Sequence, residues 1–433
     1  MRLTCAFVVV VVGPLLGCDP PPVAEGEGEG EEGEGEGEDG PTGFDVDVGP
    51  DDVPCEFPAA WPIAVASEVH PWILHLRDDS ERALGAEMMA ELDASWDLQT
   101  ALGFPEPPGD EGACGDDGLF DVFLFADSGV AYVDYMDLVT ATPFSDVGPF
   151  LVLDYDAWPF STVAHELNHA MQASCDWTET AFIYEATSQF IEEELFDDDD
   201  IYRDVLVDFQ GRADLPVDFD DGYEGYYMYG AVLYLFYLDE AVFAGDPTWL
   251  GRMWIGARST EDPEGDFVEP DVEDVLDDML QTARSMSFLD SVVEFARWRY
   301  YLADNDDGAH FSEGAELFED AMVPELSMAI GAQEDVEVSE LGTLYLALSG
   351  PAGGDVVVNV DGALARGTLV AQGLPGLDGT DGARLAGTDT FTVTLSSLGT
   401  RVLALTLLPP FDREDPDGQI RPRRALGITT SAP

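Results

Sequence analysis

Ala164-His165-Glu166-Leu167-Asn168-His169 is the stretch of sequence on which the interpretation of the whole chain depends. On an α-helix, His165 and His169 lie four residues apart and project from the same face. This spacing lets both imidazoles reach one zinc ion, which binds histidine nitrogens at about 2.0–2.1 Å. Glu166 follows the first histidine and can take a proton from a water molecule on the metal. The HExxH pattern therefore predicts a zinc-dependent hydrolase.

The residues around the motif favour a helix with a buried face. Apolar residues recur at steps of three and four positions, at Phe160, Val163, Leu167, Ala170 and Met171. This periodicity is typical of a helix that packs against a core. Ser161 or Thr162 can cap its first turn. We therefore expect the two histidines to lie on a helix that crosses the floor of a cleft.

A catalytic zinc ion usually has three protein ligands and a water molecule. One class of HExxH protein takes a further histidine six residues after the second, behind a glycine turn. That position is Cys175 here, and residues 170–174 contain no glycine. The other class takes a glutamate from the next helix. The candidates are Glu179, Glu185, Glu192, Glu193 and Glu194.

Glu185 is the predicted third ligand. Its helical neighbours are apolar, small or uncharged, and a carboxylate in such surroundings needs a partner, for which a metal is suited. The run Glu192 to Glu194 is interpreted as a solvated helix end. Glu179 is interpreted as part of the turn between helices, where it can cap the next helix.

Two segments of the chain resemble a known family. HELNHAMQ, at residues 165–172, and WTETAFIYEATSQFIEEE, at residues 177–194, are similar to the gluzincin class of zinc metallopeptidases. They resemble more closely the bacterial lipoprotein metalloproteases with the pattern HExxHaxQ, then W…E…(W/F)xEE, then a Tyr-Gly helix, which is residues 226–231 here. The resemblance covers residues 120–240. The chain departs from thermolysin-like enzymes in the short spacing to the third ligand and in Gln189, where those enzymes often carry an acidic residue.

The resemblance implies an activity, a metal site and a fold. His165, His169 and Glu185 would bind zinc, and Glu166 would act as the general base in peptide-bond hydrolysis. The implied fold class is α+β, with an α-rich zincin-like catalytic domain and a small edge sheet. An edge strand just before the metal-binding helix would pair with an extended peptide or protein substrate.

The oxyanion formed in peptide hydrolysis needs a donor besides the metal. The candidates are Tyr223, Tyr226, Tyr227, Tyr229 and His310. Tyr229 is the predicted donor, because it begins an apolar helix that runs to Leu238. The alternative for Tyr229 is an aromatic side chain that only packs within that helix.

The N-terminal residues resemble an export signal. Arg2 precedes an apolar stretch, residues 6–12, that is too short to span a bilayer. Leu15-Leu16-Gly17-Cys18 resembles a bacterial lipobox, which implies cleavage before Cys18, its lipidation and a location in the cell envelope, at the outer membrane or cell surface. An ordinary secretory signal is the alternative. Residues 19–54 follow as an acidic tether, nearly alternating Glu and Gly over residues 25–40, which cannot fold.

The rest of the chain divides by composition into a catalytic domain, residues 55–332, a C-terminal antiparallel β-sandwich, residues 333–410, and a tail, residues 411–433. In the catalytic domain, we predict helices over residues 81–102, 182–196, 229–239, 272–283 and 288–303, and strands over 119–125 and 150–155. In the sandwich, alternating β-branched segments predict strands over residues 345–348, 356–360, 390–395 and 402–408.

The charge of the chain is extreme. It has 17 basic and 89 acidic residues, a formal net charge of −72 at pH 7. This excludes nucleic acid, which needs a basic surface, and favours solubility in high salt. The acidic segments 197–200 and 304–308 could bind calcium, but a solvated loop is the preferred interpretation.

Three cysteines remain after the signal and the lipobox: Cys55, Cys114 and Cys175. An exported protein can form disulfides, but three cysteines leave one over, and either Cys55–Cys114 or Cys114–Cys175 fits. Taken together, the patterns predict an exported, lipid-anchored zinc metallopeptidase. A surface-binding lipoprotein without activity and a zinc hydrolase of a non-peptide substrate are the two alternatives.

Overall fold

The structure of the chain, a computed structural model, describes residues 43–46, 61–109, 118–125, 131–138, 144, 147–154, 161–177, 179–197, 201–220, 225–258, 260–261, 267–268, 270–316, 321–362, 368–374, 384–386, 389–410 and 421–433. The predicted signal peptide, the lipobox at Cys18 and the Glu-Gly tract lie outside the described residues. None of the helices in the described ranges is long and apolar enough to cross a membrane.

By its internal contacts the chain divides into two compact units. The first contains Met1–Asp97, Pro107–Val139 and Val147–Ala170. The second contains Leu98–Glu106, Thr140–Asp146 and Met171–Pro433. The boundary after Ala170 falls inside a continuous helix.

A six-stranded mixed sheet forms the centre of the first unit. Its strands are β1 Gly43–Val46, β2 Ile63–Ser67, β3 Trp72–Leu76, β4 Phe120–Phe125, β5 Tyr132–Leu138 and β6 Val147–Asp154. They are arranged in the order β1-β2-β3-β4-β6-β5, with β3, β4 and β6 parallel. A long helix, α1 Arg82–Ala101, makes the crossover from β3 to β4.

The apolar sequences of the parallel strands explain their interior position. Every residue of β3 is buried, as expected for a strand covered on both faces. Asp93 of α1 holds this helix against the sheet, because it accepts hydrogen bonds from Ser67 Oγ at 2.9 Å and from Trp72 Nε1 at 3.0 Å. The predicted strands over residues 119–125 and 150–155 are confirmed as β4 and β6.

The edge of this sheet is not where the resemblance placed it. β6 precedes the HExxH helix, as expected, but it is paired on both sides, with β4 and with β5. The prediction that this strand lies at the sheet edge is therefore wrong, and β5 occupies the edge. Hydropathy periodicity indicates which face of a strand is buried, but the neighbouring strand depends on long-range pairing.

Helices make up most of the second unit before residue 300. They are α2 Ser161–Ala173, which both units share, α3 Ala181–Leu195, α4 Tyr202–Gly211, α5 Tyr227–Gly230, α6 Val232–Tyr237 with a π-helical extension Leu238–Val242, α7 Trp249–Gly256, α8 Val272–Arg284 and α9 Phe288–Trp298. The predicted helices over residues 81–102, 182–196 and 272–283 are confirmed as α1, α3 and α8, and the one over residues 288–303 as α9, which ends at Trp298. The predicted helix over residues 229–239 is divided among α5, α6 and the π-helical extension. The sequence interpretation missed α4 and α7.

Local capping defines the start of the last two helices. Asp271 accepts a hydrogen bond from Glu273 N at 2.8 Å and caps α8. Ser287 and Asp290 form a reciprocal capping box at the start of α9. Between these helices, Ser285 adopts a left-handed conformation with φ of 55°, which ends α8 and turns the chain.

The predicted C-terminal β-sandwich is confirmed. Its strands are β9 Glu325–Ala329, β10 Gln333–Ser339, β11 Thr343–Ser349, β12 Asp355–Asp361, β13 Thr368–Gly373, β14 Arg384–Ala386, β15 Thr390–Thr394, β16 Thr400–Leu408 and β17 Arg423–Ser431. One sheet has the order β10-β17-β12-β15 and the other β14-β13-β16-β11-β9. A separate two-stranded ribbon pairs β7 Thr260–Glu261 with β8 Phe267–Val268. Alternating residues of both sheets, such as Val358, Phe391, Leu405 and Ile428, share one core.

The sandwich differs from the prediction at both ends. It includes β9, which begins before residue 333 and pairs in parallel with β11. The interpretation of residues 411–433 as a tail is wrong for Arg423–Ser431, which form the strand β17 between β10 and β12. Leu426 and Ile428 point into the core, so burial of these two side chains accounts for the strand. Residues 411–420 lie outside the described residues.

Candidate metal centre

The HExxH motif lies on α2, as predicted, and this helix is buried on all sides. Its apolar residues include Leu167 and Met171, both with no exposed surface. Its polar residues are equally buried: Glu166 and His169 are fully inaccessible, and His165 is 2 % exposed. Buried polar groups in a helix interior need partners, so this helix differs from an ordinary packing helix.

The structure brings the three predicted ligands together. The rings of His165 and His169 have their centroids 4.7 Å apart, at an interplanar angle of 84°. Glu185 lies on α3 and is 1 % exposed. The potential ligand atoms of the two imidazoles and this carboxylate all lie within 4.8 Å of one another. The choice of Glu185 among five glutamates therefore agrees with the geometry.

This donor set fits zinc. Two imidazole nitrogens and one carboxylate oxygen form a ligand combination that catalytic zinc sites use, with one position left for water. Two donors at ~2.1 Å from a tetrahedral zinc ion are ~3.4 Å apart, so small side-chain rotations within the observed cluster suffice. A divalent cation at this position would also compensate the charge of the buried Glu185 carboxylate.

The other three histidines have different surroundings. Each lies beside an aspartate: His70 with Asp97 at 3.2 Å, His75 with Asp121 at 2.7 Å and His310 with Asp307 at 2.8 Å. The ring of His310 also stacks on Tyr301, with centroids 4.2 Å apart. His310 is therefore held within its own loop, which weakens its candidacy as an oxyanion donor.

The remaining glutamates of the candidate set take other roles. Glu179 lies in the turn between α2 and α3, and it accepts a hydrogen bond from Val272 N, the first residue of α8, at 2.8 Å. Glu192 accepts a hydrogen bond from Gln189 Nε2 at 2.9 Å. Its exposure is only 7 %, so the interpretation of this residue as solvated is wrong: the buried part of α3 runs from Phe182 to Glu192, and Glu194 is exposed.

Further along α3 the carboxylates approach one another. Glu193, Asp197 and Glu313 place their oxygen atoms within 4.8 Å of one another. Exposed acidic groups of this kind are common in so acidic a chain, and Asp198 to Asp200 lie outside the described residues. In the other acidic loop, Asp306 and Asp307 accept hydrogen bonds from the backbone of Gly308 and Ala309. That pattern favours the interpretation of this segment as an ordinary solvated loop and not as a calcium site.

The tyrosine candidates separate by their contacts. Tyr227 donates its hydroxyl hydrogen to Pro216 O at 2.9 Å, and burial raises the pKa of its phenol, so this residue is structural. Tyr226 is partly exposed, and Tyr223 lies outside the described residues. Tyr229 is buried on α5, the short helix that packs against α3. Its role as the oxyanion donor stays a prediction.

The position of Tyr229 depends on its neighbour Gly230. A Cβ atom at Gly230 would collide with Phe209 Cβ and lie 3.0 Å from Val205 O, both on α4. Only glycine allows α5 to approach α4 so closely. The Tyr-Gly pair of the resembled pattern therefore has a packing reason here.

Comparison with known proteins leaves the family open. The sequence matches no protein-family model and no curated protein. Two solved structures resemble a quarter of the chain. Aeromonas hydrophila PliG, a periplasmic inhibitor of g-type lysozyme, has 13 % identity and a TM-score of 0.18, covering 25 % of this chain and 98 % of PliG. The pre-peptidase C-terminal domain of a Bacillus anthracis collagenase has 8 % identity and a TM-score of 0.18, covering 25 % and 95 %.

The sequence interpretation did not decide which cysteines form a disulfide. Cys175 is buried just after α2, while Cys55 and Cys114 lie outside the described residues, so the disulfide pairing stays a prediction.

Gln172 is the last residue of the HExxHaxQ pattern, and no role was assigned to it. Its position three residues after His169, on the same helix, was the available signal.

Proposed function

We propose that the chain is a zinc-dependent peptidase in which His165, His169 and Glu185 hold the metal and Glu166 is the general base. The observation that carries the proposal is the buried cluster of these three ligand side chains, whose donor atoms lie within 4.8 Å of one another. A cluster of two imidazoles and a carboxylate without exposed surface has few structural uses, because each of these groups is costly to bury.

Each residue of the proposed site has its own role in catalysis. Zinc bound here would polarise the scissile carbonyl and lower the pKa of its water. Glu166 follows the first ligand on α2, so its carboxylate can take a proton from that water and return it to the leaving amine. Tyr229 is the proposed donor to the oxyanion. Export and lipid anchoring through Cys18 belong to the same proposal and rest on residues 1–18 alone.

The test measures zinc content and peptide cleavage on the same preparations. Glu166→Gln should retain one zinc per chain and lose about 10²-fold or more of the turnover of an unbiased peptide library. Glu185→Gln should lose zinc. Glu192→Gln is the matched control, since it removes a buried carboxylate from the same helix outside the cluster, and it should retain both zinc and cleavage.

The outcomes distinguish the alternatives. Zinc in the wild type with no cleavage of any peptide would favour a non-peptide substrate or a binding protein without activity. A wild-type chain that binds no zinc under saturating conditions would overturn the proposal.

A further inference from the structure

The side chain of Gln172 joins the two helices that carry the candidate ligands. Gln172 lies three residues after His169 on α2 and has no exposed surface. Its Nε2 donates a hydrogen bond to the backbone carbonyl of Tyr184 on α3, at 3.1 Å. Tyr184 immediately precedes Glu185. One buried hydrogen bond therefore connects the histidine helix to the backbone next to the third ligand.

A second hydrogen bond returns from α3 to the turn that follows α2. The hydroxyl of Tyr184 donates to the backbone carbonyl of Asp176 at 2.5 Å. Asp176 N in turn donates to Gln172 O at 3.0 Å. Gln172, Tyr184 and Asp176 thus form a closed set of hydrogen bonds, which we name the Gln172 bracket. It spans the connection between α2 and α3.

The bracket acts close to the ligands. At a rise of ~1.5 Å per residue, Gln172 lies ~4.5 Å along the α2 axis from His169, and the Tyr184 carbonyl is one residue from Glu185. If α3 slid against α2, the Glu185 carboxylate would move by about the same distance as the helix. Metal–ligand distances tolerate only ~0.2 Å, so such a displacement matters for binding.

The α3 helix has a further restraint on its other side. Trp254 of α7 donates a hydrogen bond from Nε1 to Thr187 Oγ1 at 3.3 Å, and its ring meets Tyr184 edge-on with centroids 5.1 Å apart. The side chain of Tyr184 therefore contacts this tryptophan through its ring and the turn after α2 through its hydroxyl. Its backbone carbonyl is held at a defined place, where Gln172 can reach it.

We propose that Gln172 is a positioning residue of the metal centre, which holds Glu185 within ligand distance of His165 and His169 through the backbone of Tyr184. The inference rests on the proposed function, because it concerns the same three ligands. Gln172 is not one of the three proposed ligands. Its amide nitrogen is used as a donor to a carbonyl, a task for which the carboxylate of a glutamate or an apolar side chain is unsuited.

The experiment compares zinc affinity in Gln172→Met and Gln210→Met. Methionine has the length of glutamine and lacks the N–H donor. Gln210 is the matched control, because it is equally buried and donates from Nε2 to the carbonyls of Arg299 and Ala321, both at 2.9 Å, away from α2 and α3. Zinc affinity is measured by chelator competition, and the ligand geometry by the visible absorption of the cobalt(II)-loaded protein.

We expect Gln172→Met to weaken zinc binding by about 10–100-fold, the usual effect of losing a residue that orients a ligand. Its cobalt spectrum should change in band position or intensity. Gln210→Met should lose at least as much thermal stability, because it loses three hydrogen bonds, the third being the one that its Oε1 accepts from Arg299 Nε, yet keep the wild-type affinity and spectrum. A purely structural Gln172 would behave as Gln210 does.

Tyr184→Phe keeps the inference testable when Gln172→Met does not fold. It removes only the hydroxyl of the bracket, and it should weaken zinc binding in the same direction by a smaller factor. Wild-type affinity and cobalt spectrum in Gln172→Met, or in Tyr184→Phe when that is the only folded variant, overturn the inference. A wild-type chain that binds neither zinc nor cobalt overturns the proposed function instead.

Discussion

Arg421 offers a sharp test of how the second unit is held together. It lies two residues before β17, and its guanidinium joins two carboxylates of the helical segment. Nε lies 2.7 Å from Asp218 Oδ2, and Nη2 lies 2.8 Å from Glu273 Oε2. The exposures of the three side chains are 13 %, 7 % and 14 %, so water screens the interaction little. Arg421→Met removes the cation and keeps most of the apolar contact.

The magnitude follows from what remains after the substitution. Removing one partner of a buried ion pair costs about 3–5 kcal/mol, because the other charge stays buried without compensation. Here two carboxylates would remain, and we take about 3 kcal/mol as the expected loss after allowing for partial exposure. For a domain of 150–250 residues, that corresponds to a decrease of about 6–12 °C in Tm.

The stability of the wild type should also change with pH, in a direction that follows from the pKa values of the carboxyls near Arg421. Burial, followed by the nearby charge of Asp218, raises the pKa of Glu273 well above its ordinary value. Burial also raises the pKa of Asp271, to about 6, with Asp274 acting in the same direction. The folded state therefore binds protons more tightly than the unfolded state. This contribution to stability is complete below the unfolded pKa of these carboxyls, near 4, and is lost as pH rises through about 6 and above.

Calorimetry of the wild type and Arg421→Met at about pH 5 and pH 8, at one salt concentration, measures both effects. The loss should be larger at the higher pH, because the raised pKa values of Glu273 and Asp271 mean that more of these two carboxyls is deprotonated there. Arg252→Met is the control, because its ion pair with Asp246 is 52 % and 44 % exposed, and its effect should stay within about 0.5 kcal/mol. Equal losses in the two variants, or a larger loss at the lower pH, would refute the reasoning.

Three further substitutions test packing and capping by thermal unfolding. Gly230→Ala should cost about 1–3 kcal/mol, since its Cβ would collide with Phe209 Cβ and force α5 away from α4, and unchanged stability would contradict this packing argument. Leu346→Ala, in the sandwich core, should cost about 2–5 kcal/mol and leave zinc content unchanged, because no sandwich residue is among the proposed ligands; unchanged stability would contradict the burial argument. Ser287→Ala removes the capping box of α9 and should cost about 1 kcal/mol, whereas Ser287→Asp should restore most of it; equal stability of the two variants would contradict the capping argument.

The local parts of the site could be predicted from the sequence. The separation of His165 and His169 by four residues is a property of one helix, so their common face follows from helix geometry alone. Glu185 could be selected among neighbouring glutamates because its flanking residues are uncharged, and a buried carboxylate requires a partner. The capped helices α8 and α9 and the alternating strands of the sandwich are similarly local in origin.

The structure corrected the interpretation wherever a residue depended on distant neighbours. Glu192 looked like part of a solvated charge run, yet tertiary packing buries it beside Gln189. Glu179 was interpreted as part of the turn between helices, and only the structure shows that it accepts a hydrogen bond from the first residue of α8, about ninety residues further along the chain. A charge pattern shows what a side chain is but not which segment covers it.

The sequence by itself determined the HExxH motif, the helix that carries it and the division into a helical part and a β-sandwich, because these follow from short-range periodicity. Only the tertiary structure decided that β5 rather than β6 forms the sheet edge, that Arg423–Ser431 form an inner strand, and that Gln172 reaches the backbone beside Glu185. Strand neighbours and helix-to-helix hydrogen bonds join residues that are distant in sequence or lie on different elements. Their free energy depends on the packed arrangement of the whole unit, which no local pattern encodes.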